Sequence, residues 1–217
     1  MNEFWDARYS ESDYVYGKKP NKYFEHNLLK LNPGKLLLPA EGEGRNAVFA
    51  AENNWLVTAV DFSSKAKEKA LKLANERNVS IEYVIAPLEK YAFPENEFDA
   101  VGLIYAHFPR NLRTQIHNSV IKSLKPGGIL IFEAFSKKQI NNNTGGPKDI
   151  SLLYDLEELF TDFRDLRIEE SQGLEIELTE GKYHKGKSDI IRLIAKKHFL
   201  DSKIKFQSNT GFTCTKL

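Results

Sequence analysis

Residues 35–47 read Lys-Leu-Leu-Leu-Pro-Ala-Glu-Gly-Glu-Gly-Arg-Asn-Ala. A short apolar run of strand length stops at a turn carrying Gly42 and Gly44, and from Arg45 onward Ala47, Val48 and Ala51 recur at helical spacing. The local reading is strand, tight turn, helix. The pattern repeats downstream. Residues 55–61, Trp-Leu-Val-Thr-Ala-Val-Asp, form a second strand stopped by Asp61; Ser63 or Ser64 caps a helix with Ala66, Ala70 and Ala74 on one face. A third strand lies around 81–86, halted by Pro87, and a fourth runs from Asp99 to Ala106. The fourth is nearly continuously apolar, as a central strand covered on both faces requires. Strands alternating with helices predict a parallel sheet.

Past Pro109 a helix presents Leu112, Ile116, Val120 and Leu124, and Pro126-Gly127-Gly128 is expected to end it before a fifth strand, Ile129 to Ala134. Residues 136–149 are irregular and rich in Asn and Gly, a length of loop that is functional or disordered. A helix is expected within 155–163, with Leu156, Leu159, Phe160 and Phe163 as its apolar residues. Two strands follow, 166–179 with a break near Gly173, and 188–196. Their link, 180–187, is short enough for an antiparallel hairpin. The expected architecture is α/β, a Rossmann-like three-layer sandwich whose seven-stranded, mostly parallel sheet ends in a C-terminal antiparallel hairpin. One domain is expected over 1–198, with 1–34 as an N-terminal lid and helix and 199–217 as a polar tail.

The 217 residues are 41% hydrophobic, enough for one sizeable core. With 31 Lys and Arg against 30 Asp and Glu, the net charge of +1 gives no excess for phosphate backbones or anionic lipid, so neither nucleic acid nor a membrane is an expected partner. No apolar run approaches the ~18–20 residues of a membrane-spanning helix, and the polar, aromatic N-terminus is not a secretion signal. The lone Cys214 can form neither an internal disulfide nor a thiolate metal cluster. The expected address is the cytoplasm; oligomeric state is not legible.

Ligands of open α/β sheets bind outside the carboxyl ends of the strands. Gly42 and Gly44 follow the first strand, and Asp61 ends the second, 19 residues after Gly42. That is close to the ~20-residue spacing at which an acid accepts hydrogen bonds from a ribose diol, so a nucleoside-bearing ligand is expected. Gly42 to Ala47 formally fits the GxGxxA dinucleotide fingerprint, which makes a nicotinamide- or flavin-dependent oxidoreductase the rival reading. Charge argues against it: Glu41 and Glu43 bracket Gly42, whereas a pyrophosphate wants a turn free of anions. The sulfonium and ammonium of S-adenosylmethionine suit two carboxylates better. A non-catalytic domain that only senses the cofactor or holds a partner is a third reading.

Residues 35–47 also resemble the first motif of class I S-adenosylmethionine-dependent methyltransferases, and Val-Asp-Phe-Ser at 60–63 resembles their second. Residues 98–104 and 124–130 are similar to their fourth strand and to the turn before the fifth. The opening Phe-Trp-Asp-Ala-Arg-Tyr at 4–9, residues 16–24, and Thr-Gly-Gly-Pro-Lys-Asp at 144–149 with Leu-Leu-Tyr at 152–154 narrow the resemblance to the tellurite-resistance and thiopurine methyltransferase-like group. It implies S-adenosylmethionine as cofactor and a small-molecule methyl acceptor. By the same resemblance Gly42 and Gly44 lie against the methionine part of the cofactor, Asp61 holds the ribose and Phe62 sits beside the adenine. Ala86 to Leu88 edge the adenine, Tyr105 to His107 face the methyl group, and Trp5, Tyr9, Tyr16 and Asn21 form a lid. Three positions depart from the pattern: Ala40 stands where the family has its first glycine, Leu38 where an acid usually ends the first strand, and Pro87 where a polar residue is common. Glu41 is the candidate replacement for the missing acid.

Methyl transfer from a sulfonium is an in-line displacement, so alignment and exclusion of water dominate. A general base is needed only where the nucleophile must lose a proton. His107, beside Tyr105 at the end of the fourth strand, is the candidate base; its alternative is a histidine hydrogen-bonded to backbone near Pro109. Soft nucleophiles such as thiolates, selenium or tellurium species need little or no base. His117 is expected to be partly solvated, and His26, His184 and His198 have no partner at metal spacing, so no metal is expected. Lys137 and Lys138 are candidates for an anionic substrate, and Arg45 for capping carboxylates of its own turn.

Overall fold

Leu36 and Leu38 turn to one side of the central strand and Leu37 to the other, and all three are fully buried. That period of two builds a core on each face of the sheet. The computed structural model describes residues 2–199. Its strands are β1 (Lys35–Pro39), β2 (Leu56–Asp61), β3 (Glu82–Ile85), β4 (Phe98–Ile104), β5 (Leu124–Phe135), β6 (Leu166–Glu180) and β7 (His184–Lys197). Its α-helices are α1 (Asn2–Tyr9), α2 (Lys22–Leu28), α3 (Arg45–Glu52), α4 (Ser64–Glu76), α5 (Arg110–Ser123) and α6 (Leu156–Asp162).

The seven strands stand in the order β3-β2-β1-β4-β5-β7-β6. The first five in chain order pair in parallel, while β7 runs antiparallel to both β5 and β6. Helices α2, α3 and α4 cover the face of Leu36 and Leu38; α5 and α6 cover that of Leu37. Strand order reverses between β1 and β4, which places the ligand-binding crevice beyond Pro39 and Ile104. This is the Rossmann-like, seven-stranded architecture expected, with its C-terminal antiparallel strands.

The differences are local. Leu124 is the first residue of β5, not the last of the helix, and Pro126-Gly127-Gly128 lies inside that strand at a register irregularity, with Gly127 at φ 82°. β6 passes unbroken through Gly173; its register shift falls between Ile168 and Glu170. The hairpin link shrinks to residues 181–183, because the β6–β7 ladder continues to the Glu180–His184 pair. Phe160 is exposed on α6 rather than buried. His117 is fully buried, its Nδ1 2.8 Å from the Asp162 carboxylate, a partner 45 residues away. Of the tail expected over 199–217, residues 200–217, including Cys214, lie outside the described residues.

Candidate active site

The turn after β1 is built by its own carboxylates. Ala40, Gly42 and Gly44 all take left-handed backbone conformations, with φ of 55°, 64° and 86°. Gly44 is bare for packing: a Cβ there would stand 2.5 Å from the Cβ of Ala70 on α4. Glu41 Oε1 accepts from the Asn46 and Ala47 backbone N–H groups at 2.9 and 2.8 Å, so it caps α3, which has no side-chain cap from Gly44. Burial raises the Glu41 carboxyl to about 7, against those hydrogen bonds and the Arg45 charge. Asp61 accepts from Gly42 N–H through Oδ2 and from Ser63 N–H through Oδ1, both at 3.0 Å, and Tyr83 donates to the Gly42 carbonyl at 2.6 Å. Burial lifts Asp61 above the usual carboxylate range despite the N–H groups of Ser63, Gly42 and Phe62.

Beside this turn lies a cavity of ≈ 540 Å³, within the ~300–1,000 Å³ of small-molecule sites. Its floor is formed by the ends of β4 and β5, with Tyr105, His107 and Phe135; its far side is closed by Gly145-Gly146-Pro147 from the irregular loop. The remaining wall joins two distant segments. Trp5, Tyr9 and Tyr16 come from the N-terminus, and Tyr183 and His184 from the β6–β7 hairpin. Lys182 N–H donates to the Val15 carbonyl at 3.0 Å, the Lys182 and Tyr183 side chains both reach Glu11, and the Arg8 guanidinium lies 4.1 Å over the Tyr183 ring. Trp5 stacks on Tyr9 at 5.6 Å.

Charge inside this wall is paired. Arg45 bonds Glu180 at 2.8 Å and the Tyr16 carbonyl at 3.2 Å, rather than the acids of its own turn. Burial works against the Glu180 charge, yet the Arg45 guanidinium bonded to it holds its carboxyl below the usual range. Glu43 points away from the cavity centre to the lid, accepting from Val15 N–H at 2.8 Å and from Lys69 at 2.7 Å. Lys137 is held by Asp155 and Glu158 and does not line the cavity, so it is not the anion site considered for it.

Several polar atoms have no protein partner. The Tyr105 hydroxyl, His107 Nε2 and His184 Nδ1 are buried without a hydrogen bond. His107 Nδ1 lies 2.8 Å from the Leu152 carbonyl; a carbonyl only accepts, so Nδ1 carries the proton and Nε2 the lone pair. Burial lowers both His107 and His184 to about 4, so both are neutral near pH 7. Tyr105, at φ 53°, has its hydroxyl held protonated by burial and by the Glu133 carboxylate.

Of the residues singled out in the sequence, Trp5, Tyr16, Ala40, Glu41, Gly42, Tyr105 and His107 line this cavity. Gly44, Asp61, Phe62, Ala86 and Leu88 do not; Asp61, Phe62 and Ala86 cluster beyond Gly42, where Ala86 N–H donates to the Asp61 carbonyl at 3.0 Å. Asn21 is no part of the cavity wall. It caps α2 by accepting from Phe24 N–H, and it donates to Glu133 and Glu180, which ties the N-terminal segment to β5 and the hairpin. Phe135 is among the lining residues that sequence reasoning did not single out, and His184 was considered there only as a metal ligand, whereas Gly145 and Gly146 belong to the stretch at 144–149 that carries the resemblance. Only the glycines carried a signal, as part of the loop already marked as functional.

Residues 39–128 match the family described as methyltransferase domain. No curated protein matches the sequence significantly. Among solved structures, a protein studied for the conversion of a disulfide bond into a thioacetal group during echinomycin biosynthesis is similar, with TM-score 0.72, 18% identity and coverage of 93% of this chain and 94% of that one. An S-adenosylmethionine-dependent methyltransferase from Methanosarcina mazei superimposes with TM-score 0.67 at 18% identity, covering 83% of this chain and 99% of that one. TehB from Haemophilus influenzae does so with TM-score 0.69 at 16% identity, covering 90% of this chain and 66% of that one. The fold is thus shared at low identity. Residues 39–128 are similar to a methyltransferase domain, and the described residues share the fold of these solved structures.

Proposed function

We propose that this enzyme methylates the sulfur, or the heavier selenium, of a small-molecule acceptor, with His107 receiving the proton. The observation that carries this reading is the fixed tautomer of His107: Nδ1–H is committed to Leu152, and Nε2 is a buried lone pair with no protein partner. A neutral thiol needs such a group; a hard oxyanion does not. Arg45, which lines the cavity, is already paired with the Glu180 carboxylate. The tellurite-resistance and thiopurine-like resemblance supports a soft acceptor, as does the sulfur chemistry named for the echinomycin-pathway protein.

The residues present fit the cofactor. The turn at Gly42 brings bare backbone to the cavity edge, and Asp61, although bonded to two N–H groups, keeps lone pairs for a ribose diol. In this reading Ala40, Glu41, Gly42 and Gly44 hold the methionine end, Asp61 the ribose, and Phe62, Ala86 and Leu88 the adenine. Trp5 and Tyr16 cover the site, residues 1–34 acting as lid and helix of one domain spanning 1–198. Tyr9 rests on Gly42, so α1 must shift to admit the ribose.

When bound, S-adenosylmethionine supplies an electrophilic methyl group on a positively charged sulfur that leaves as an uncharged thioether. Tyr105 and His107 hold the acceptor with its sulfur facing the turn. His107 Nε2 takes the thiol proton as the acceptor sulfur gains the methyl group, and returns it to solvent after release. The lid and the Gly145-Gly146 loop exclude water. A cytoplasmic location suits an enzyme that needs its acceptor reduced.

The test is methyl transfer from labelled S-adenosylmethionine to a panel of thiol, selenol, selenite, tellurite and thiopurine acceptors. Label on thiols is expected; label on the oxyanions alone overturns the reading. Cofactor binding with no turnover on any acceptor favours the sensing domain.

A further inference from the structure

The three unpartnered atoms that line the cavity come from two segments, Tyr105 and His107 from the stretch after β4 and His184 from the start of β7, and their side chains surround one ring. Tyr105 follows β4 with its ring 4.7 Å from that of Phe135; His107 stacks on Phe135 at 5.7 Å and 16°; His184, from the hairpin, stands edge-on to it at 5.2 Å. His184 also lies 4.4 Å from Tyr105 and 4.5 Å from Tyr16. Gly146, at φ 80°, closes against Phe135 so tightly that a Cβ would stand 2.8 Å from the ring.

A buried polar atom without a partner costs about 1–3 kcal/mol. Three around a single ring inside one cavity are the imprint of hydrogen bonds that a ligand completes. Their chemistry can be inverted. Tyr105, kept protonated, offers a donor. His107 Nε2 offers an acceptor. His184 Nδ1 sits 3.8 Å from Glu180 Oε2, too far for a hydrogen bond, and offers the third contact. None of the three is a cation near pH 7, and of the carboxylates behind them Glu180 is answered by Arg45 and Glu133 by Arg192.

We propose that these atoms form the acceptor subsite, and that the acceptor is an uncharged thiol carrying a carbonyl group within two or three bonds of its sulfur. The inference rests on the sulfur-methylation reading. The thiol S–H points to His107 Nε2, the carbonyl accepts from Tyr105, and His184, on the hairpin, positions the carbonyl end against Phe135. An anionic acceptor of the same shape is rejected, because two neutral imidazoles cannot repay the water that a carboxylate leaves behind.

Three probes separate these requirements: 2-mercaptoacetamide, which has thiol and carbonyl and no charge; thioglycolate, its carboxylate analogue; and ethanethiol, which lacks the carbonyl. Each is titrated calorimetrically into full-length protein saturated with S-adenosylhomocysteine, whose own binding is measured first. The mercaptoacetamide is expected to bind at least tenfold more tightly than either of the others. Tyr105→Phe should remove its advantage over ethanethiol while S-adenosylhomocysteine still binds, and His184→Leu should weaken it where His184→Gln retains it. Methyl transfer should follow the same order in KM. Equal affinities, preference for thioglycolate, or binding indifferent to Tyr105→Phe and His184→Leu overturns the subsite. Failure of S-adenosylhomocysteine to bind instead overturns the cofactor assignment beneath it.

Discussion

The Asp61 carboxylate accepts a 3.0 Å hydrogen bond from the Gly42 backbone N–H, so the acid that ends β2 is wired to the turn that follows β1. One residue thereby sets the turn and, in the function proposed above, offers its remaining lone pairs to a ribose diol. Asp61→Ala should weaken S-adenosylhomocysteine by about 1–3 kcal/mol, the cost of leaving ribose hydroxyls unpaired. Asp61→Asn, which keeps one accepting oxygen, should lose less. Calorimetric affinities equal to the parent's for both variants would move the ribose contact elsewhere.

Gly42 carries two constraints that can be separated. At φ 64° any side chain is strained, and a Cβ would stand 2.7 Å from the Tyr9 hydroxyl. Gly42→Ala should lower stability by about 1–2 kcal/mol from backbone strain alone, with a further loss from the clash. Adding Tyr9→Phe removes the hydroxyl and should recover the second part only. Chemical denaturation of the single and double variants measures both; no recovery in the double variant would mean that Tyr9 does not rest on the turn.

In the function proposed above, Glu41 links cofactor binding to pH. Burial raises its carboxyl from the ordinary range to about 7. A group raised in the fold stabilises fully below its unfolded pKa, and that contribution is lost as pH rises through about 7. A cation bound beside it favours the ionised form, so cofactor binding near neutral pH should release protons. Calorimetry in buffers of different ionisation heat should show that release for the parent and not for Glu41→Gln. Identical apparent heats in all buffers would contradict it.

Glu43 anchors the N-terminal segment through Val15 N–H and Lys69. It is buried, so Glu43→Ala leaves a backbone donor unpaired. Cleavage by a protease in residues 10–20 should accelerate in this variant, and saturation with S-adenosylhomocysteine should slow it again if the lid closes over the cofactor. Protection of the parent and the variant to the same degree would show that the segment is held by other contacts.

The parallel half of the sheet was legible because each of its first three strands is an apolar run closed by a local stop: the turn at Gly42 and Gly44, Asp61 and Pro87. The acid and the glycines of the turn were legible because local spacing places them. What escaped notice depends on contacts between distant positions. β7 reads as a strand only from residue 188 because His184-Lys185-Gly186-Lys187 is polar and looks like a turn, which hid the end of the ladder that carries His184 to the cavity. Asn21 reads as a lid residue by resemblance, but its partners are Glu133 and Glu180, 112 and 159 residues away. His117 looked solvated only because its acid, Asp162, belongs to another helix. The locally acidic turn was likewise only half legible: Glu41 faces the site, while Glu43 serves the lid.

The nucleoside that the turn accepts decides the chemistry of the site. Calorimetric titration of the full-length protein with S-adenosylhomocysteine and, separately, with NAD and NADH tests it directly. One saturable site for S-adenosylhomocysteine, with no heat from either nicotinamide nucleotide, is the predicted result; saturable binding of NAD or NADH with none of S-adenosylhomocysteine would contradict it.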